Sequence, residues 1–224
     1  MSVYMTEAEQ LEAIKKWWKR YSNVITVILS VILLVISGFK YWNWHQAKIE
    51  QQASNAYEHL MVAFSNHDNK SVYGFANQLL ADYGQTVYAD AARLTLAKLY
   101  VLRDRYPKAQ EELQYVATHS KVMVLQQIAR IRLARLWVNS KSYDQALNEL
   151  NHIQSSIYKP VVNELRGDIY AATGQYQQAV SSYREAMNEV QMKGMGNLML
   201  EMKTNELIAM SQSMTDKHSQ TETA

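Results

Sequence analysis

Between residues 21 and 39 the chain carries no formally charged side chain, and no other feature constrains its fold as tightly. The run reads YSNVITVILSVILLVISGF, and from residue 24 to residue 36 it is almost entirely Val, Ile and Leu. Its 19 residues, at about 1.5 Å rise per helical residue, reach about 28 Å, close to the roughly 30 Å hydrocarbon thickness of a bilayer. A surface helix would keep a polar stripe, and this one has none. Trp17, Trp18 and Tyr21 stand at one end, Tyr41, Trp42 and Trp44 at the other. Aromatic rings at both edges let a spanning helix sit at two headgroup layers. Residues 21–39 are therefore expected to form a transmembrane helix.

The flanks set an orientation. Lys15, Lys16, Lys19 and Arg20 precede the run within six residues, whereas Lys40 and Lys48 are the only cations in the twenty that follow it. By the positive-inside rule, the tail of residues 1–20 is cytoplasmic and the larger part of the chain lies across the membrane. The sequence GFKYWNW after the run has no small-residue cleavage site, so an uncleaved signal anchor is expected.

The 224 residues include 7 Gly and 2 Pro, with abundant Leu, Ala, Gln, Met and Tyr, which favours an all-α architecture. Five basic and three acidic residues precede residue 45, and the remaining eighteen of each follow it. Such a balanced field does not hold a phosphate backbone, so nucleic acid is not an expected partner. Cysteine is absent, which removes disulfides, thiolate nucleophiles and Cys-based metal sites.

Beyond the apolar run a unit repeats. Tyr-x-x-Ala, followed four residues later by an apolar residue, occurs as Tyr73-Ala76-Leu80, Tyr106-Ala109-Leu113, Tyr143-Ala146-Leu150 and Tyr176-Ala179-Tyr183. The alanines are 33, 37 and 33 residues apart, and each unit follows a short polar break. An aromatic (Tyr100, Trp137, Tyr170) precedes each of the last three breaks. Such spacing describes antiparallel helix pairs that meet on alanine, where two backbones approach closely, and that bury their apolar stripes by stacking. The 37-residue step predicts an extended loop near residues 118–123. Residues 46–64 are expected to form the first helix of the first pair, with Tyr57, Leu60, Met61 and Phe64 on one face. Residues 197–210 should cover the open end of the stack, and the polar residues 211–224 are expected to be disordered. The repeat domain is thereby placed at residues 40–210.

The segment LRGDIYAATGQYQQAVSSYREAM, residues 165–187, resembles a tetratricopeptide repeat. Gly167, Tyr170, Gly174, Tyr176, Ala179, Tyr183 and Ala186 fall on that family's signature spacing. Ala97 and Ala134 stand where the family often has Gly, Trp137 replaces the first-helix Tyr, and the copy around Tyr73 matches only in its second helix. The resemblance implies a helix-turn-helix solenoid whose first helices line a groove for peptides or partner helices. Carried over by register, that groove takes Leu94, Lys98 and Val101 from one pair and Ile131, Arg135, Val138 and Asn139 from the next. The last pair adds Glu164, Asp168 and Ala172. Its lining grades from apolar-basic to acidic, which suits an amphipathic polypeptide.

Motifs of catalysis are missing. None of His45, His59, His67, His119, His152 and His218 has metal-ligand spacing to another His or to a carboxylate cluster. No Gly-rich phosphate loop or Gly-x-Ser-x-Gly occurs, and Gly194 and Gly196 read as the end of a helix. No catalytic, cofactor-binding or metal-binding residue is therefore assigned, and an enzyme is the weakest reading. Of the cluster Arg130, Arg132 and Arg135, the last two share a helix face, and a solvated edge is a plainer use for it than a binding patch. Met192, Met195, Met199 and Met202 are expected to fill the core under the last helix rather than form an adaptable surface.

The whole layout consists of a tail TEAEQLEAIKKWWKR, one span, the exit sequence YWNWHQ and a degenerate repeat domain. That order resembles the YfgM-type proteins of Gram-negative bacteria, ancillary subunits of the Sec translocon. The resemblance implies an inner-membrane protein with a periplasmic repeat domain beside SecYEG. It also implies work on secretory polypeptides with periplasmic chaperones, among them a membrane-anchored isomerase-like chaperone (PpiD-type). Two other readings stay open at this point: a membrane-anchored regulator acting through its cytoplasmic tail, and a repeat receptor facing the cytosol.

Overall fold

Residues 7–65 contain no proline and a single glycine, Gly38, and they form one uninterrupted helix, α1 (Glu7–Ser65). The computed structural model describes residues 7–191 and 198–221. Among these it has nine α-helices, one short 3-10 turn and no strand. Two compact units divide the chain, residues 1–52 and residues 53–224.

In the first unit the large apolar side chains from Val27 to Phe39 stand exposed around the helix. The helix is long and apolar enough to cross a membrane by length and composition. Two of its polar side chains bond back to the helix itself. Thr26 donates to the Ser22 carbonyl and Ser30 to the Thr26 carbonyl, each at 2.8 Å, as a hydrocarbon environment would require. At the far end Tyr41 and Trp44 pack ring against ring, and Lys48 lies over Trp44.

The second unit holds the end of α1 and helices α2 (Asn69–Asp82), α3 (Val87–Val101), α4 (Tyr106–His119), α5 (Met123–Asn139), α6 (Tyr143–Asn151), α7 (Lys159–Ala172), α8 (Tyr176–Gln191) and α9 (Leu198–Thr221). Its repeat is written most clearly in the turns. His67, Asp104, Lys141 and Gly174 all adopt left-handed backbone, with φ between 56° and 77°. One residue later, the backbone N–H of Asp68, Arg105, Ser142 and Gln175 donates to the carbonyl of Ala63, Tyr100, Trp137 and Tyr170 respectively. This is the Schellman closure of a helix, made four times, and only the last copy uses the glycine that the conformation favours.

These turns correct the register of the first copy. Counted from the left-handed residue, Ala109, Ala146 and Ala179 are matched in the first copy by Val72, and Ala76 is matched with Leu113, Leu150 and Tyr183. The turn-to-turn steps are 37, 37 and 33 residues. Tyr73-Ala76-Leu80 is therefore shifted by one helical turn, and its fully buried leucine is Leu79 rather than Leu80. The facing residue on the first helix of each pair is Leu60, Ala97, Ala134 or Gly167. The core then repeats as Leu60 with Ala76, Ala97 with Leu113, Ala134 with Leu150, and Gly167 with Tyr183, each pair buried together. A large residue on one helix meets a small one on the other, and which helix carries the bulk is free to swap because summed volume decides packing.

The expected extended loop at residues 118–123 is absent. Helix α4 runs to His119 and α5 starts at Met123, leaving residues 120–122 as the connection. The longer step lies in helix instead: α2 and α4 have 14 residues each where α6 has 9. About one turn is added, so the buried stripe stays in phase. Arg93–Glu112 at 2.7 Å and Arg130–Glu149 at 2.8 Å clamp α3 to α4 and α5 to α6 at equivalent positions.

On α1 the buried stripe is Ala53, Ala56, Leu60 and Ala63, while Met61 is 41% exposed instead of sharing the buried face. Helix α9 packs on α8 through Leu200, Thr204 and Leu207 and continues to Thr221, past the residue 210 at which an unstructured tail was expected. Met199 and Met202 are 61% and 59% exposed, so they do not fill the core beneath it. Met192, Met195, Gly194 and Gly196 lie outside the described residues.

Candidate functional site: a cationic and apolar groove

Helices α3, α5 and α7 place their equivalent residues side by side, because each follows the same turn geometry. The residue after the small core position is Lys98 on α3, Arg135 on α5 and Asp168 on α7. All three line one depression of about 630 Å³. Val101 stands beside Lys98, and Val138 and Asn139 beside Arg135; Ala97, Leu113, Leu136 and Leu165 form its floor and Arg132 its edge.

Of the ten residues expected in a groove, Lys98, Val101, Arg135, Val138, Asn139 and Asp168 thus come together. Leu94 and Ile131 do not join them. They sit one turn earlier on their helices and are buried in the core. Glu164 occupies the same row on α7, where its carboxylate accepts from Lys203 at 3.3 Å. Ala172 is exposed at the end of α7 and lines no part of the depression.

The carboxylates at the acidic end are bonded within the structure. Asp168 accepts from the Tyr183 hydroxyl at 2.6 Å and from the Lys203 ammonium at 2.8 Å. Burial, the Asp168 hydrogen bond and the two nearby carboxylates push the Tyr183 phenol far above its ordinary pKa, so it stays protonated and donates. Burial pulls Lys203 down, but bonding to Asp168 and Glu164 outweighs it and holds the ammonium pKa above its usual value. The acidic end is therefore engaged from α9, where the single Lys203 ammonium is shared by both carboxylates.

The basic end is not neutralised. Among the described residues none of Lys98, Arg132 and Arg135 forms an ion pair. Lys98 reaches over the Phe64 ring at 5.1 Å, and Arg132 donates to the Leu94 carbonyl at 3.3 Å. Burial, then the charge of Arg135, lowers the Arg132 pKa against a smaller opposing effect of Tyr57. Arg130 is a different case: it bonds Glu149 and the Ala117 carbonyl and serves the scaffold.

Sequence reasoning placed Arg132 on one face with Arg135 but preferred a solvated edge for it and left it out of the groove. It also missed Lys203, for which no local signal exists. Among the described residues no group of three His, Asp or Glu side chains assembles to hold a metal ion. The depression can bind by shape, apolar contact and charge.

No solved structure matches the chain. Three curated relatives are each named "Ancillary SecYEG translocon subunit". The relative from Aggregatibacter actinomycetemcomitans is 27% identical over 83% of this chain and 91% of its own length. The Escherichia coli K12 relative is 28% identical over 92% of this chain and 99% of its own. The Neisseria gonorrhoeae relative is 25% identical over 92% and 100%. A family model described as "Tetratricopeptide repeat-like domain" matches residues 15–209 and spans the four Schellman turns and all the paired core positions. By that match and by the helix-pair geometry that fills it, this chain belongs to the tetratricopeptide repeat-like domain family.

Proposed function

We propose that this chain is a membrane-anchored, non-catalytic adaptor associated with the Sec translocon. In this reading α1 anchors it in the inner membrane with residues 1–20 in the cytoplasm. The repeat unit stands on the periplasmic side, where it receives secretory polypeptides and passes them to envelope chaperones, one of them a PpiD-type isomerase-like partner. The observation that carries the proposal is the groove across α3, α5 and α7, with aliphatic floor and unpaired cations, on a chain whose curated relatives are named as translocon subunits. A repeat domain with such a groove holds a segment of another chain without chemistry on it.

In-cell photocrosslinking from Val101, Arg135 and Asn139 tests the proposal. Products containing translocon subunits or secretory chains are expected; products confined to cytosolic proteins would overturn it. Asp168 is a poor probe because its replacement breaks the Lys203 and Tyr183 bonds. Because the chain has no cysteine, a single cysteine placed at exposed Met123 reports topology directly. A membrane-impermeant maleimide should label it in spheroplasts.

A further inference from the structure

Three cations converge on the groove from two helices. Lys98 comes from α3, Arg132 and Arg135 from α5, and the surface between them is aliphatic: Val101, Leu136 and Val138. Elsewhere in the repeat unit two partly buried arginines are matched, Arg93 by Glu112 and Arg130 by Glu149. The one carboxylate lining the groove, Asp168, is engaged by Tyr183 and Lys203. Two guanidinium groups three residues apart on one helix face repel each other, and an incoming anion relieves that repulsion.

We infer that the groove is specific for polypeptide segments that carry carboxylates among aliphatic residues, with the acidic side chains seated on Arg132 and Arg135 and the aliphatic ones on Val101, Leu136 and Val138. The inference rests on the adaptor reading above and supplies its substrate class. Two guanidinium groups one turn apart on a helix can each offer paired N–H donors to a carboxylate, which neutral amides cannot exploit in the same way. The aliphatic floor adds affinity that does not depend on salt. A positively charged segment is repelled at the same place, so the groove discriminates between partners by sign.

The test uses the full chain in phosphatidylcholine nanodiscs and two fluorescein-labelled synthetic peptides of leucine, alanine and serine. One carries two glutamates, the other two glutamines at the same positions. By fluorescence anisotropy the glutamate peptide should bind about tenfold more tightly, the effect of one charge-assisted hydrogen bond. Raising salt from about 0.1 M to about 1 M should shrink that preference. Arg135→Gln, at an exposed position, should reduce it, and Arg132→Gln with Arg135→Gln should abolish it; Lys108→Gln, outside the groove, should leave it intact. Equal binding of both peptides to the unaltered chain overturns the carboxylate preference and leaves the adaptor reading standing. Binding of neither peptide overturns the groove as the client site as well. Loss of peptide binding on exchange to phosphatidylglycerol nanodiscs would assign the cations to lipid headgroups instead.

Discussion

Gly167 has no room for a side chain. A Cβ there would stand 2.4 Å from Cε1 and 2.5 Å from Cδ1 of Tyr183. The Tyr183 ring is fully buried and its hydroxyl is held by Asp168 at 2.6 Å, so it cannot swing aside without losing that bond. Gly167→Ala should therefore cost about 1–3 kcal/mol for overpacking and about 1 kcal/mol for a weakened hydrogen bond, offset by about 1 kcal/mol of helix propensity. A net loss of about 2 kcal/mol follows from these terms. Tyr183→Leu alone opens a cavity opposite Gly167 and should cost about 2–4 kcal/mol. The pair Gly167→Ala with Tyr183→Leu recreates the Ala97–Leu113 and Ala134–Leu150 arrangement found in the two preceding repeats. Its cost should fall below the sum of the single changes by about 1–3 kcal/mol. Urea unfolding of the full chain in detergent, followed by far-UV circular dichroism, measures all three. Additive costs within about 0.5 kcal/mol would refute the size-exchange account of the core.

The four turns predict opposite signs at equivalent positions: Lys141→Gly should stabilise by about 0.5–1 kcal/mol and Gly174→Ala should destabilise by about 1 kcal/mol, both read from thermal midpoints. Lys203 and Tyr183 have folded pKa values raised above their ordinary ones. Their contribution is thus fully present below about pH 10 and lost as pH rises through the raised values. Thermal melts should show that alkaline loss, and Lys203→Met should flatten its lysine part; parallel profiles would count against the linkage. Thr86 caps α3 by accepting from the Ala89 N–H, and Thr86→Ala should cost about 1 kcal/mol with an unchanged denaturant slope. Arg130→Met leaves Glu149 buried without its partner and should cost about 3 kcal/mol, partly recovered when Glu149→Met is added.

Much of this architecture is legible in the chain because its causes are local. The apolar run announces itself by composition over one bilayer width, and the helix pairs by periodicity within about ten residues. The Tyr-x-x-Ala register holds at Ala109, Ala146 and Ala179, where the alanine is fully buried beside a large neighbour. It fails at Ala76, because the matching decision there belongs to two helices. With Leu60 on α1, the facing position accepts alanine, and only the pair shows the rule.

The candidate groove divides in the same way. Lys98, Arg135 and Asp168 follow from register alone, since equivalent positions on equivalent helices must align. Whether each remains available does not follow from register. Lys203 reaches Asp168 across 35 residues of sequence, and Arg132 turns into the groove while Arg130, two residues away, turns toward Glu149. Periodicity within a segment records which face is apolar. Sequence alone thus determined the long apolar helix, the helix pairs and their shared face. The tertiary structure alone decided which charges on that face are paired, because a charge's partner is chosen by proximity in space and leaves no mark on the local pattern.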